Sequence, residues 1–91
     1  MAMNIEDTRS NLSLLVTTIS HLAEEFDVPM TRDEFASRCL LLCFGVSPQR
    51  GTVEYDTILS YIERLGQQRV LHINGAWYSV DWSVLDILET L

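Results

Sequence analysis

The sequence predicts a small, mostly helical α+β domain: three amphipathic helices, a two-stranded hairpin and a short C-terminal helix within 91 residues. Three observations predict it. Apolar residues recur at three- and four-residue steps in three segments, divided by Pro29, by the stretch from Gly45 to Gly51 and by Gly66. Thr31-Arg32-Asp33-Glu34 is a T-x-x-E helix opening, and Asn74-Gly75 separates two runs rich in strand formers. A chain of this length makes one domain, typical domains being ~50–250 residues. Its 47% hydrophobic content supplies a core without disulfide or metal staples.

The first helix is expected over about 5–26. Leu12, Leu15, Val16, Ile19, Leu22, Ala23 and Phe26 form one stripe, with Ser13, Thr17, Ser20 and Glu24 opposite. Asn4 or Asp7 caps it, and Pro29 ends it by forcing the preceding residue out of the helical region. The second helix is expected over about 32–44. Thr31 and Glu34 are read as a reciprocal capping box, with Met30 and Phe35 as a hydrophobic staple. Phe35, Cys39 and Leu42 share a stripe that Leu41 points away from, and Gly45 fits the left-handed stop. Being apolar on every side from Cys39 to Phe44, this helix is either central or covered by a partner.

Ser47 to Gly51 reads as a turn, and a third helix follows over about 53–65. Tyr55, Ile58, Leu59, Ile62 and Leu65 face inward, and Gly66 stops it. The hairpin, over about 70–80, turns at Asn74-Gly75 as a type I′ loop, which sets Ile73 against Ala76, His72 against Trp77 and Leu71 against Tyr78. Leu71, Ile73, Ala76, Tyr78 and Val80 then face the core, while Val70, His72, Trp77 and Ser79 face out. Asp81 or Ser83 caps a last helix over about 82–90, with Val84, Ile87, Leu88 and Leu91 on one side.

Charge narrows the function. Thirteen acids stand against six bases, all arginine, for a net charge of −7. A general nucleic-acid binder needs a positive footprint, because neutralised phosphates supply most of its non-specific affinity. No apolar run reaches the roughly 18 residues of a membrane span. No basic, then apolar, leader opens the chain. The two cysteines are too few for a disulfide framework, so a reducing, cytoplasmic setting is expected.

Met30 to Phe35 opening the second helix, Gly45-Val46-Ser47 in the turn, Ile58, Leu59, Ile62, Leu65 and Gly66 in the third helix, and the hairpin at Asn74-Gly75 together resemble the winged helix-turn-helix superfamily. The resemblance covers about residues 5–80. It places the first strand such domains carry in the stub from Asp27 to Met30. It also implies DNA binding, with Glu54, Asp56, Thr57, Ser60, Glu63, Arg64 and Gln68 toward the major groove. Glu54 and Asp56 suit the start of a helix but repel phosphate, and the wing tip carries no base.

No catalytic constellation, metal set or cofactor motif is present. His21 and His72 read as surface histidines, and Cys39 and Cys43 as core thiols rather than a metal pair. The expectation is therefore a non-enzymatic, acidic protein–protein interaction module: an adaptor, or an inhibitor of the phage type that occupies a basic nucleic-acid groove on its target. Trp77, His72, Leu41, Glu54, Asp56 and Glu63 are the expected docking residues, and Val84, Leu88 and Leu91 the expected homodimer contacts. The alternative is a dimeric winged-helix DNA-binding regulator using Arg50, Arg64 and Arg69.

Overall fold

The computed structural model describes residues 3–90, without the side chains of Glu89 and Thr90. Asp7, rather than Asn4, caps the first helix, its carboxylate accepting from the Ser10 amide at 3.2 Å. Helix α1 spans Thr8–His21 and breaks at Leu22, so the single helix expected to residue 26 is two pieces. The break follows Val16-Thr17-Thr18-Ile19-Ser20, where four β-branched side chains have lost rotamer freedom against the preceding turn. After it, α2 (Ala23–Phe26) carries Phe26 into the core, its ring tilted 55° against Phe35 at 5.5 Å.

Strand β1 is only Met30–Thr31, later than the stub expected from Asp27. Thr31 also caps α3 (Arg32–Arg38), accepting from the Glu34 amide at 3.3 Å. The return bond from the Glu34 carboxylate is absent among the described residues, which leaves half of the expected capping box. Helix α3 continues as a π-helical segment over Cys39–Cys43. Its apolar pairs fall at strict four-residue steps: Phe35-Ala36, Cys39-Leu40 and Cys43-Phe44, all buried. An α-helix drifts about 40° per four residues, so a wider turn is needed to hold these pairs on one line. That winding leaves both Leu41 and Leu42 exposed, which corrects the expected Phe35–Cys39–Leu42 stripe. Gly45 then takes the left-handed stop with φ 66°, as expected, and the Val46 amide reaches back to Leu40 at 2.9 Å.

Helix α4 (Val53–Gln67) starts from Thr52, whose hydroxyl accepts from the Tyr55 amide at 3.2 Å. Gly66 does not stop it. A Cβ there would lie 3.1 Å from Ile73 Cδ1, so glycine serves the close approach of the hairpin. The left-handed stop belongs to Arg69, with φ 63°. There the Val70 amide bonds the Leu65 carbonyl at 2.9 Å and the Arg69 amide bonds Gly66 at 3.1 Å. An L-residue is strained in this conformation, so Arg69→Gly is expected to raise stability by about 0.5–1 kcal/mol, after allowing for glycine's extra unfolded-state entropy. A urea unfolding midpoint that stays put or falls would contradict this.

Strands β2 (Leu71–Asn74) and β3 (Trp77–Val80) pair Asn74 with Trp77, Ile73 with Tyr78, His72 with Ser79 and Leu71 with Val80. The loop is therefore Gly75-Ala76, one place later than expected. Gly75 alone has positive φ (64°), which meets the need of a type II′ turn rather than type I′. Ala76 accordingly leaves the core face and is exposed in the loop, Ile73 is half-exposed rather than covered, and Val70, expected to face out, is fully buried just after the helix stop. Strand β1 pairs antiparallel with β3, Met30 against Tyr78 and Thr31 against Trp77, making a three-stranded sheet of order β1-β3-β2 in place of a bare hairpin.

Helix α5 (Trp82–Thr90) packs on α1. Its buried residue is Leu85, fully enclosed, where the expected stripe was Val84, Ile87, Leu88 and Leu91. Val84 and Leu88 lie half-buried against the same core, Ile87 is exposed, and Leu91 is outside the described residues.

Candidate protein-interaction surface

The register puts Thr31, Trp77, Ser79, His72 and Asn74 on the sheet face turned away from the core. Trp77 stands on the central strand of that face and is 54% exposed. His72 Nε2 lies 2.9 Å from Asp81 Oδ2 at the far end of the strands. Asp81 also holds the start of α5, accepting from the Ser83 hydroxyl at 2.8 Å and the Val84 amide at 3.2 Å. These two bonds, and then the nearby imidazole, hold its carboxyl below the usual carboxylate range. Beside this end, the Trp82 indole donates to Asp27 Oδ1 at 3.2 Å, and Val28 is half-exposed next to it.

The second exposed apolar patch is Leu41 and Leu42, opened by the π-helical winding and bordered by Pro48. Arg38 beside it is neutralised by Glu25 at 3.2 Å. On α4 the outward face carries Asp56, Glu63 and Arg64, all exposed, while Glu54 sits at its half-buried margin. The apolar member of this face is Val53.

Of the three arginines of the alternative reading, one is engaged by an acid. Arg50 pairs with Asp33 at 2.7 Å, Arg64 projects from α4, and Arg69 occupies the left-handed stop beyond it. Asp33 also accepts from the Tyr55 hydroxyl at 3.0 Å, and burial, then Asp33, push that phenol's pKa up. In the sequence Asp33 stands only as an inner residue of the T-x-x-E helix opening. No local pattern marks its bonds to Arg50 and Tyr55, which lie 17 and 22 residues away.

Cys39 and Cys43 are buried and free, and burial, then the bond to Cys43, raises the Cys39 thiol. His21 is exposed at the end of α1. Among the described residues no three His, Cys, Asp or Glu side chains are grouped to hold a metal ion, and no helix is long and apolar enough to cross a membrane. Comparison with protein-family models, with curated proteins and with solved structures gives no match.

Proposed function

We propose that this chain is a non-enzymatic interaction module that docks on a protein partner through its acidic surface and exposed aromatic face. The observation that carries the reading is the distribution of charge. The outward face of α4, which a winged helix would lay in the major groove, presents Asp56 and Glu63 around Arg64. Arg50, the next candidate phosphate contact, is engaged by Asp33. The hairpin tip, Asn74-Gly75-Ala76, offers no cation. A surface of this kind repels a polyanion and attracts a basic protein.

The order of elements and the β1-β3-β2 sheet support the winged helix-turn-helix resemblance. That likeness also favours the second reading, a DNA-binding regulator in which Arg50, Arg64 and Arg69 touch phosphates. Titrating a fluorescein-labelled random duplex with the protein, at low and then physiological salt, separates the two. No rise in anisotropy at either salt is expected. Binding that weakens steeply with salt, and that Arg64→Gln abolishes, would establish the DNA reading instead.

A further inference from the structure

We propose that the outer face of the sheet is the docking platform, and that its occupant is an extended segment of a protein partner bearing two arginine or lysine side chains four residues apart. This rests on the protein-partner reading above and gives it a surface and a chemistry. Trp77 lies at one end of the face, on the central strand, flanked by Thr31 on β1 and Asn74 on β2. With a paired strand on each side, it is an exposed aromatic on a fixed support, the usual form of an interface anchor. A guanidinium or ammonium stacks on an indole through the ring's quadrupole.

The end of the face away from the hairpin loop is acidic, while Arg32 stands exposed next to Thr31 at the loop end. Asp81 stands four residues along the chain from Trp77, about 13 Å in extended geometry. Asp27 lies beside that end, exposed, and bonded by the neutral Trp82 indole, so its negative charge is uncompensated. His72, joined to Asp81, is the titratable base on the face, and Thr31, Ser79 and Asn74 supply polar groups between the ends. A cation on Trp77 and a second at Asp81, four residues along the same extended run, therefore sit about 13 Å apart. Side chains at n and n+4 of an extended segment span that distance, whereas the same spacing on a helix spans only about 6 Å. A second copy of this chain fits poorly, since each brings a net charge of −7.

The test uses two acetylated, amidated heptapeptides titrated into the full-length isotope-labelled protein and followed by NMR. One reads Ser-Arg-Ser-Thr-Ser-Arg-Ser; the other has the same composition with adjacent arginines. Saturable shifts at the Trp77 indole and at the Thr31 and Ser79 amides are expected, with the spaced peptide binding several-fold more tightly. Trp77→Ala is expected to weaken it about tenfold, and Asp27→Asn to weaken it less while flattening its salt dependence. Shifts scattered over Asp56 and Glu63, equal affinity for both peptides, or affinity indifferent to Trp77→Ala would overturn the platform. Sedimentation showing self-association that Trp77→Ala removes would assign the face to a second copy and overturn it too. Failure of the peptides with the labelled duplex still unbound refutes this platform alone. Duplex binding refutes the protein-partner reading itself.

Discussion

Phe35→Ala is expected to cost about 3–5 kcal/mol, the largest effect of any substitution considered. The side chain is fully buried where α3 meets the core, and its ring packs on Phe26. Truncation removes the transfer free energy of the ring and leaves a cavity that its neighbours fill only in part. Loss of the tilted aromatic contact adds to this, such pairs contributing about 0.5–1.5 kcal/mol beyond their area. Domains of this size are stable by roughly 0.05–0.15 kcal/mol per residue, so one such loss is a large fraction of the whole. Urea denaturation followed by circular dichroism should show the midpoint falling sharply. A midpoint shift worth less than about 1 kcal/mol would mean that the α2–α3 packing described above is wrong.

Asn11→Ala is expected to cost about 1–3 kcal/mol, through a different mechanism. Asn11 is the one buried polar side chain among the described residues, and its amide donates to the Asn4 carbonyl and, at 3.1 Å, to the Tyr61 hydroxyl. Tyr61 is almost fully enclosed on α4, so removing the amide leaves its hydroxyl without that partner in a low-dielectric setting. The bond to Asn4 also fastens the segment before α1. The double variant Asn11→Ala, Tyr61→Phe should recover part of the loss, because the orphaned hydroxyl goes with its partner. Strictly additive losses in that cycle would show that the two groups do not interact.

Much of this architecture was legible in the residues because short-range patterns specify it. The α4 face came from apolar spacing, and the Gly45 stop from the left-handed preference of glycine at a helix end. The hairpin was read one residue early, yet all its paired positions kept their faces. The loop moved by one residue, which changes each pairing by two positions, and a strand alternates its faces with that period. Ala76 changed place by entering the loop; Val70, expected to face out, is fully buried, and Ile73, expected on the core, is half-exposed. What the sequence concealed was set by contacts between distant parts. Gly66 reads as a helix end until the Ile73 side chain is seen against it. Leu85 is an ordinary apolar residue until α5 meets α1. The exposure of Leu42 follows from a π-helical turn, whose only sequence trace is the four-residue step of the apolar pairs. At the candidate surface, the outward placement of Trp77 and His72 was legible from alternation. The link from His72 to Asp81 and that from Trp82 to Asp27 needed the sheet and α5 in place.

The two residues of β1 also govern the order in which the chain assembles. Met30 and Tyr78 come together across about 50 intervening residues, whereas the helices and the hairpin form from neighbours in sequence. Closing so long a loop costs chain entropy before any contact offsets it. The helices and the β2–β3 ribbon therefore form early, and the pairing of β1 with β3 comes after them, as does the still longer closure that packs α5 on α1. The same ladder opens first when the native state fluctuates, since so few backbone bonds hold it. Thr31 belongs to both that strand and the start of α3, so each opening releases a helix end together with one flank of Trp77.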